Sequence, residues 1–179
     1  MKIILGLTGS IASGKGTVSK YLKEKYKAQT FKFSQILRAM LQRAYLPETR
    51  DNLVKISFAL REAFGQDILA KIIAGDVQKT NRKIIVVDGV RRPADIKYLK
   101  DLPGFKLIGL DAHPKIRYER LKKRRENKDD QTKTWSQFLA DQQAETEVYI
   151  PELIKKADLI IDNSGSLEEL YKKIDNLIK

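Results

Sequence analysis

GSIASGKGT, residues 9–17, decides how the rest of the chain is read. Gly9 and Gly14 stand five apart with Lys15 directly after them. In such a loop the glycines let the backbone pass close to phosphate, N–H groups and a helix N-terminus cradle the anion, and the lysine reaches the outer phosphates. The flanks agree. Before the loop, KIILGLTG (2–9) is a short apolar run with the look of a buried strand. After it, a helix is expected from near Lys15, with Val18, Tyr21, Leu22 and Tyr26 in one stripe opposite Lys20, Lys23 and Glu24. Gly9, Ser10, Ile11, Ala12 and Ser13 would form the loop, and Gly14, Lys15, Gly16 and Thr17 would carry it into the helix. The general pattern puts a hydroxyl directly after the lysine, but here Gly16 intervenes. Thr17 is displaced by one residue, to where it could reach an α-phosphate or a metal-bound water.

Working outward, strands alternate with helices to the end of the chain. AQTFKFS (28–34) reads as a second strand, and Ile36, Leu37, Met40 and Leu41 as a helix closed by Pro47. Two further helical segments are expected over 49–64 and 66–79. KIIVVDGV (83–90) is the clearest buried strand and is stopped by Asp88 and Gly89. Pro93 fits the first turn of the next helix. FKLIGLDAH (105–113) is another strand, Pro114 opens another helix, and ADLIIDN (157–163) is the last strand. It precedes a helix marked by Leu167, Leu170, Tyr171, Ile174, Leu177 and Ile178. This order predicts an α/β fold with a central parallel sheet of about five strands, helices on both faces, and ligands at the strands' carboxyl ends. No repeat or linker interrupts it, so a single domain over 1–179 is expected.

A chain of 179 residues buries roughly 70% of its unfolded surface. It has no cysteine for disulfides or thiolate metal sites, and its single histidine, His113, excludes a histidine-based metal cluster. With 42% apolar residues and no run long enough for a membrane span or a signal-peptide core, the expectation is a soluble, cytoplasmic protein. The net charge of +12 points to an anionic partner: nucleic acid, membrane headgroups or phosphorylated small molecules. Residues 114–125, PKIRYERLKKRR, hold seven basic residues and one acidic one, half of that net charge in a single segment. Arg120 and Arg124, four apart, are expected to share a helix face and grip neighbouring phosphates together.

The GKGT ending of the loop resembles the nucleoside monophosphate kinases, adenylate kinases in particular, whose loop reads GxxGxGKGT. Ala12 and Ser13 stand where that family has a more glycine-rich turn. The resemblance continues in order along most of the chain. KFSQILRAM (32–40) resembles the family's segment with a Ser/Thr followed by Leu-Arg, which implies that Ser34 and Arg38 bind the acceptor, Arg38 as a clamp on its phosphate. VVDGVRRP (86–93) is similar to LDGFPRT, implying Asp88 near magnesium and Arg92 at the acceptor phosphate, with Arg91 beside it as the other candidate. YERLKKRR (118–125) is similar to DRIxGRR, implying that Arg120 and Arg124 act on the ATP and transferred phosphates. KDDQTKTWSQFL (128–139) resembles the return arm of a lid. Asp129 and Asp130 would cap the next helix or pair with basic groups there, and Trp135 would anchor the lid helix or stack on adenine. Asn127 and Phe138 stand where the family has lid arginines, the long lid insert is missing, and Ile96 stands where a glutamine reads the AMP base.

The resemblance therefore implies a P-loop NTPase three-layer α/β/α fold, with a helical acceptor-binding region over about 34–80 and a short lid over about 120–140. It implies Lys15, Arg92, Arg120 and Arg124 as catalytic residues, the 9–17 loop with Arg120 on the nucleotide, and Thr17 and Asp88 toward the metal. The cofactors implied are ATP and Mg²⁺. The acceptor would be a phosphorylated small molecule of nucleotide type, a (deoxy)nucleoside monophosphate first and dephospho-coenzyme A second. RDNLVKISFALREAFG (50–65) is similar to the acceptor-side helices of deoxynucleoside monophosphate kinases. A P-loop switch ATPase and a nucleic-acid-end kinase are the remaining readings. The second is disfavoured because the chain shows no added RNA- or DNA-binding module and no aromatic platform interleaved with the basic cluster. Oligomeric state has no signature in the sequence.

Overall fold

A computed structural model describes residues 2–124, 130–144 and 147–178. Five strands form one parallel sheet: β1 (Ile3–Thr8), β2 (Gln29–Lys32), β3 (Ile84–Asp88), β4 (Phe105–Asp111) and β5 (Leu159–Asp162), in the order β2-β3-β1-β4-β5. The first strand is thus the central one. Leu7 stands opposite Asp88 of β3 and Ile108 of β4, and Lys32 stands opposite Asp88, so the carboxyl ends of the strands form one crest. The loop after β1 rises from the middle of that crest, where strands diverge to either side and a crevice opens.

Both faces of the sheet are covered. On one, α1 (Lys15–Tyr26) and α8 (Leu167–Ile178) pack Val18, Leu22, Leu170 and Ile174 onto Leu5, Leu7, Ile108 and Ile161. On the other, α4 (Ile68–Lys79) and α7 (Ile150–Lys155) bring Ile73, Val77 and Leu153 against Ile4, Ile85, Val87 and Leu107. Consecutive strand residues point to opposite faces, so a strand covered on both sides must be apolar throughout, as IILGL and IIVV are. The chain has a P-loop NTPase α/β/α architecture.

Between β2 and β3 the chain makes a helical excursion through α2 (Phe33–Arg43), α3 (Arg50–Phe64) and α4. Thr49 caps α3, its hydroxyl accepting from Asn52 N at 3.2 Å. α5 (Pro114–Lys123) follows β4, and α6 (Trp135–Asp141) is capped by Thr134.

Three expectations need correction, and one element went unread. The second strand ends at Lys32, and Phe33 and Ser34 already belong to α2, whose Gln35 side chain accepts from Lys32 N. Pro93 opens only a 3-10 turn (Pro93–Ile96), because the buried Asp95 carboxylate draws the Arg91 and Arg92 N–H groups, each at 3.0 Å, into a tight bend. Arg120 and Arg124 do not share a helix face: α5 stops at Lys123, and Arg124 turns extended (φ −76°, ψ 160°) to reach Asp130. The short α7 had no counterpart in the sequence reading. Asn127, Asp129 and the last arginine of the basic cluster, Arg125, lie outside the described residues.

Candidate functional site

Three residues of the 9–17 loop have positive φ: Gly9 (151°), Ala12 (59°) and Gly14 (108°). A side chain at Gly9 would collide with the Leu110 carbonyl, and one at Gly14 with the Asn163 carboxamide. These positions therefore need glycine on both conformational and steric grounds. Ala12 adopts the left-handed conformation despite its Cβ, which is how the chain manages without the additional glycine of GxxGxGKGT. Gly14 is the N-cap of α1 and lends it no side-chain cap, so the first-turn N–H groups at 15–17 are free for an anion.

Lys15 folds back over the loop, its Nζ donating to the Gly9 carbonyl and, at 3.1 Å, to the Ser10 carbonyl. Burial pushes its pKa down from 10.5 to about 8. The carboxylates of Glu147 and Asp88 hold it up, and the cations of Arg91 and Arg124 press it down further. Each of these four charged groups has its own contacts. Asp88, at the end of β3, is mostly buried and 3.4 Å from Lys32 Nζ. Arg91 NH1 lies 3.4 Å from Glu147 Oε1. Arg124 grips Asp130 through Nε at 3.0 Å and NH2 at 3.5 Å.

The other expected site residues stand as follows. Of the two neighbouring arginines, Arg91 acts on Lys15, whereas the charge of Arg92 falls on Asp95 together with that of Arg61. Arg120 points to the turn after β5, with NH2 3.5 Å from the Gly165 carbonyl and a buried NH1 without a hydrogen-bond partner among the described residues. Arg38 is turned to Glu48, 2.7 Å away, and Ser34 is exposed in the first turn of α2. These two are not drawn into the group around Lys15. Thr17 sits in the first turn of α1.

Trp135 stacks on Phe138 (centroids 5.4 Å apart) and lies edge-on to Tyr118, so it anchors α6. Asp130 is fully buried against Arg124 and pairs with a basic group rather than standing as an isolated carboxylate.

Three residues near the loop escaped the sequence reading. Glu147 precedes α7, whose buried Ile150 and Leu153 fix it against the sheet; nothing in QQAETEVYI marks it. Arg117, only 4% exposed, donates to the Ala112 carbonyl at 3.0 Å and Gln142 Oε1 at 2.8 Å, and at 3.4 Å to the Ile11 carbonyl of the loop. Its i, i+4 partner on the buried face of α5 is Leu121, a pairing that could have flagged it. Asn163, at the end of the last strand, donates to the Ser13 carbonyl at 2.8 Å.

A divalent cation fits the donors present. The Asp88 carboxylate at the end of β3 and the Thr17 hydroxyl in the first turn of α1 are oxygen donors of the kind such an ion takes. Among the described residues no three His, Cys, Asp or Glu side chains gather into a cage. Mg²⁺ is commonly held by one or two carboxylates together with substrate phosphates and water. No helix among the described residues is long and apolar enough to cross a membrane.

The family model described as AAA domain matches residues 8–136. A UPF0200 protein of Pyrococcus abyssi is 31% identical over 182 residues, with 99% of this chain and 96% of that protein covered. Among solved structures, shikimate kinase from Bacteroides thetaiotaomicron is similar in fold, with a TM-score of 0.64 at 16% identity over 98% of this chain and 96% of that one. Dephospho-CoA kinase from Campylobacter jejuni gives 0.60 at 18% identity over 99% and 96%.

Proposed function

The chain belongs to the AAA domain family, and from that premise we propose that it is an ATP-dependent small-molecule kinase. It transfers the γ-phosphate to a phosphorylated acceptor of nucleotide type, a (deoxy)nucleoside monophosphate. The observation that carries this reading is the loop itself: glycines with positive φ, free helix N-terminal amides, and the Lys15 ammonium folded over it, on which the charges of Asp88, Arg91 and Arg124 act. The solved kinases of similar fold support it.

Phosphoryl transfer needs alignment of donor and acceptor oxygens and neutralisation of the moving charge, with little covalent help from the protein. In this proposal the loop amides and Lys15 hold the β- and γ-phosphates, and Arg120 holds the nucleotide from the other side. Arg124 stabilises the transferring group. Arg91, Arg92 and Arg38 bind the acceptor phosphate, which exchanges places with Glu147 at Arg91 and Glu48 at Arg38; Ser34 completes that side. Thr17 and Asp88 would hold Mg²⁺, directly or through water, and the ion would offset charge on the β- and γ-oxygens. An acceptor oxygen bonds to Pγ as the bond from Pγ to the β-phosphate oxygen breaks, giving ADP. A phosphate oxygen that attacks is already anionic, so the site needs no general base for it. Residues 34–80 would be the acceptor-side region and 120–140 the lid of one kinase domain acting in the cytoplasm. Closure of that lid keeps water from the phosphoryl group.

The test is ADP release with ATP and Mg²⁺ across ribo- and deoxynucleoside monophosphates, dephospho-coenzyme A and other phosphorylated metabolites. Stimulation by a nucleoside monophosphate is the expected result, and stimulation by no acceptor would favour a switch ATPase. The second reading, dephospho-coenzyme A, is favoured by the short chain between α5 and α6. It predicts a rate that depends on a titrating base, because a hydroxyl acceptor must lose its proton. Lys15→Ala and Arg124→Ala should each abolish turnover with circular dichroism unchanged. An arginine in such a role is worth roughly 10³–10⁵ in rate, so near-normal turnover in either variant would remove the assignment.

A further inference from the structure

We infer that Asn163 is a positioning residue for phosphate binding, its carboxamide setting the Ser13–Gly14 peptide so that the Gly14 N–H faces the anion. The inference rests on the nucleotide-binding reading of the loop and assigns Asn163 no contact with substrate.

Asn163 follows β5, at the edge of the sheet, and is separated from the loop by 150 residues of sequence. Its place is fixed twice. The backbone N–H donates to the Asp111 carbonyl at the end of β4, at 2.7 Å, and the residue is 4% exposed. From there Nδ2 donates to the Ser13 carbonyl at 2.8 Å. Only one orientation of the carboxamide allows this, since the reverse would set two acceptor oxygens against each other.

The described chain contains no cis peptide. In a planar trans peptide the C=O and the following N–H point in opposite directions. Tying the Ser13 carbonyl outward to Asn163 therefore turns the Gly14 N–H inward, in line with the free first-turn amides of α1. The carboxamide lies so close that a Cβ on Gly14 would overlap Nδ2, and Gly14 itself has φ 108°. Asn163 and Gly14 are thus one fitted pair. At the other end of the side chain, Oδ1 is buried without a hydrogen-bond partner among the described residues. A buried unpaired acceptor is unfavourable, so the bond to Ser13 is the term that makes a carboxamide suitable here. Arg117 supports the loop in the same manner at the Ile11 carbonyl, over a longer 3.4 Å.

The test compares wild type, Asn163→Asp and Asn163→Ala for ADP affinity by calorimetry, alongside thermal melting. Loss of this bond should weaken ADP binding about tenfold, raising KM for ATP while kcat at saturation holds. The Asp variant cannot donate when ionised and can when protonated. Its affinity should recover as pH falls, beyond the change in wild type over the same range, and the Ala variant should show no such recovery. Folded variants that bind ADP as tightly as wild type overturn the inference and leave the kinase reading standing. A wild-type protein that binds no nucleotide overturns both. Should the variants melt early, the wild-type Gly14 amide decides. Its proton resonance should move on ADP binding, and an unmoved resonance overturns the inference.

Discussion

Lys15 is a cation held in a place that disfavours its charge, and its pH behaviour follows. Its pKa is lowered from 10.5 to about 8. Between those values the unfolded chain binds a proton that the folded chain has released, so the Lys15 contribution makes folding more favourable as pH rises through that window. Phosphate affinity runs the other way, because only the ammonium attracts the anion. Affinity for a non-hydrolysable ATP analogue should fall as pH rises through about 8, and this limb should be missing in Lys15→Ala. Glu147 is the strongest influence holding the proton on Lys15. Glu147→Gln should therefore move the decline to lower pH, which a calorimetric pH series would show. The loop and Lys15 were legible in the sequence because their signal is local, glycines at fixed spacing between a strand and a helix, whereas Asp88 was singled out through the resemblance of VVDGVRRP to LDGFPRT. Glu147 was not, since its effect on Lys15 depends on how α7 docks.

At the scale of elements, α6 is held by Phe138, which is fully buried with Arg117 5.4 Å over its ring. Phe138→Ala should lower stability in urea denaturation by about 3–5 kcal/mol. It should also weaken nucleotide binding, by loosening the arginine that supports the Ile11 carbonyl. The seam between α1 and α8 offers a separate measurement. Asp175 accepts from Tyr21 and Tyr26 hydroxyls at 2.7 Å each and from Lys25 at 2.8 Å. With Lys25 first among these partners, its pKa is depressed from 3.8 to about 2. The folded state thus releases this proton more readily than the unfolded chain. The stabilisation is complete above pH 3.8 and is lost as pH falls toward 2. Melting temperature in that acid range should depend less on pH in Asp175→Asn than in wild type. The helix periodicity that exposed α1 and α8 to sequence reading could not pair these residues, which lie about 150 positions apart. The face expected to join Arg120 to Arg124 failed for a related reason: Asp130 draws Arg124 out of the helix.

For the whole molecule, ligand binding and charge are the observable consequences. An ATP analogue at a hundred times its Kd should stabilise the fold by about 2.7 kcal/mol. That appears as a raised Tm in wild type and as a much smaller rise in Lys15→Ala at the same ligand concentration. Half of the net charge of +12 lies in residues 114–125, and within it Arg117 is buried as a support and Arg124 is paired with Asp130. Part of this basic segment is therefore already engaged within the protein. Oligonucleotides should bind weakly at physiological ionic strength and leave acceptor-stimulated turnover unchanged. A steep linear fall of log affinity with log salt, as from many phosphate contacts, would instead make nucleic acid the partner.

The sequence by itself determined the five strands, the helices that flank them apart from α7, and the glycine loop, because hydrophobic period and glycine spacing act over a few residues. Only the tertiary structure decided what surrounds that loop: Glu147 by Arg91, Arg117 under Ile11, Asn163 behind Ser13. Each is brought there by strand order and helix docking, and such contacts between distant residues leave no period in the chain.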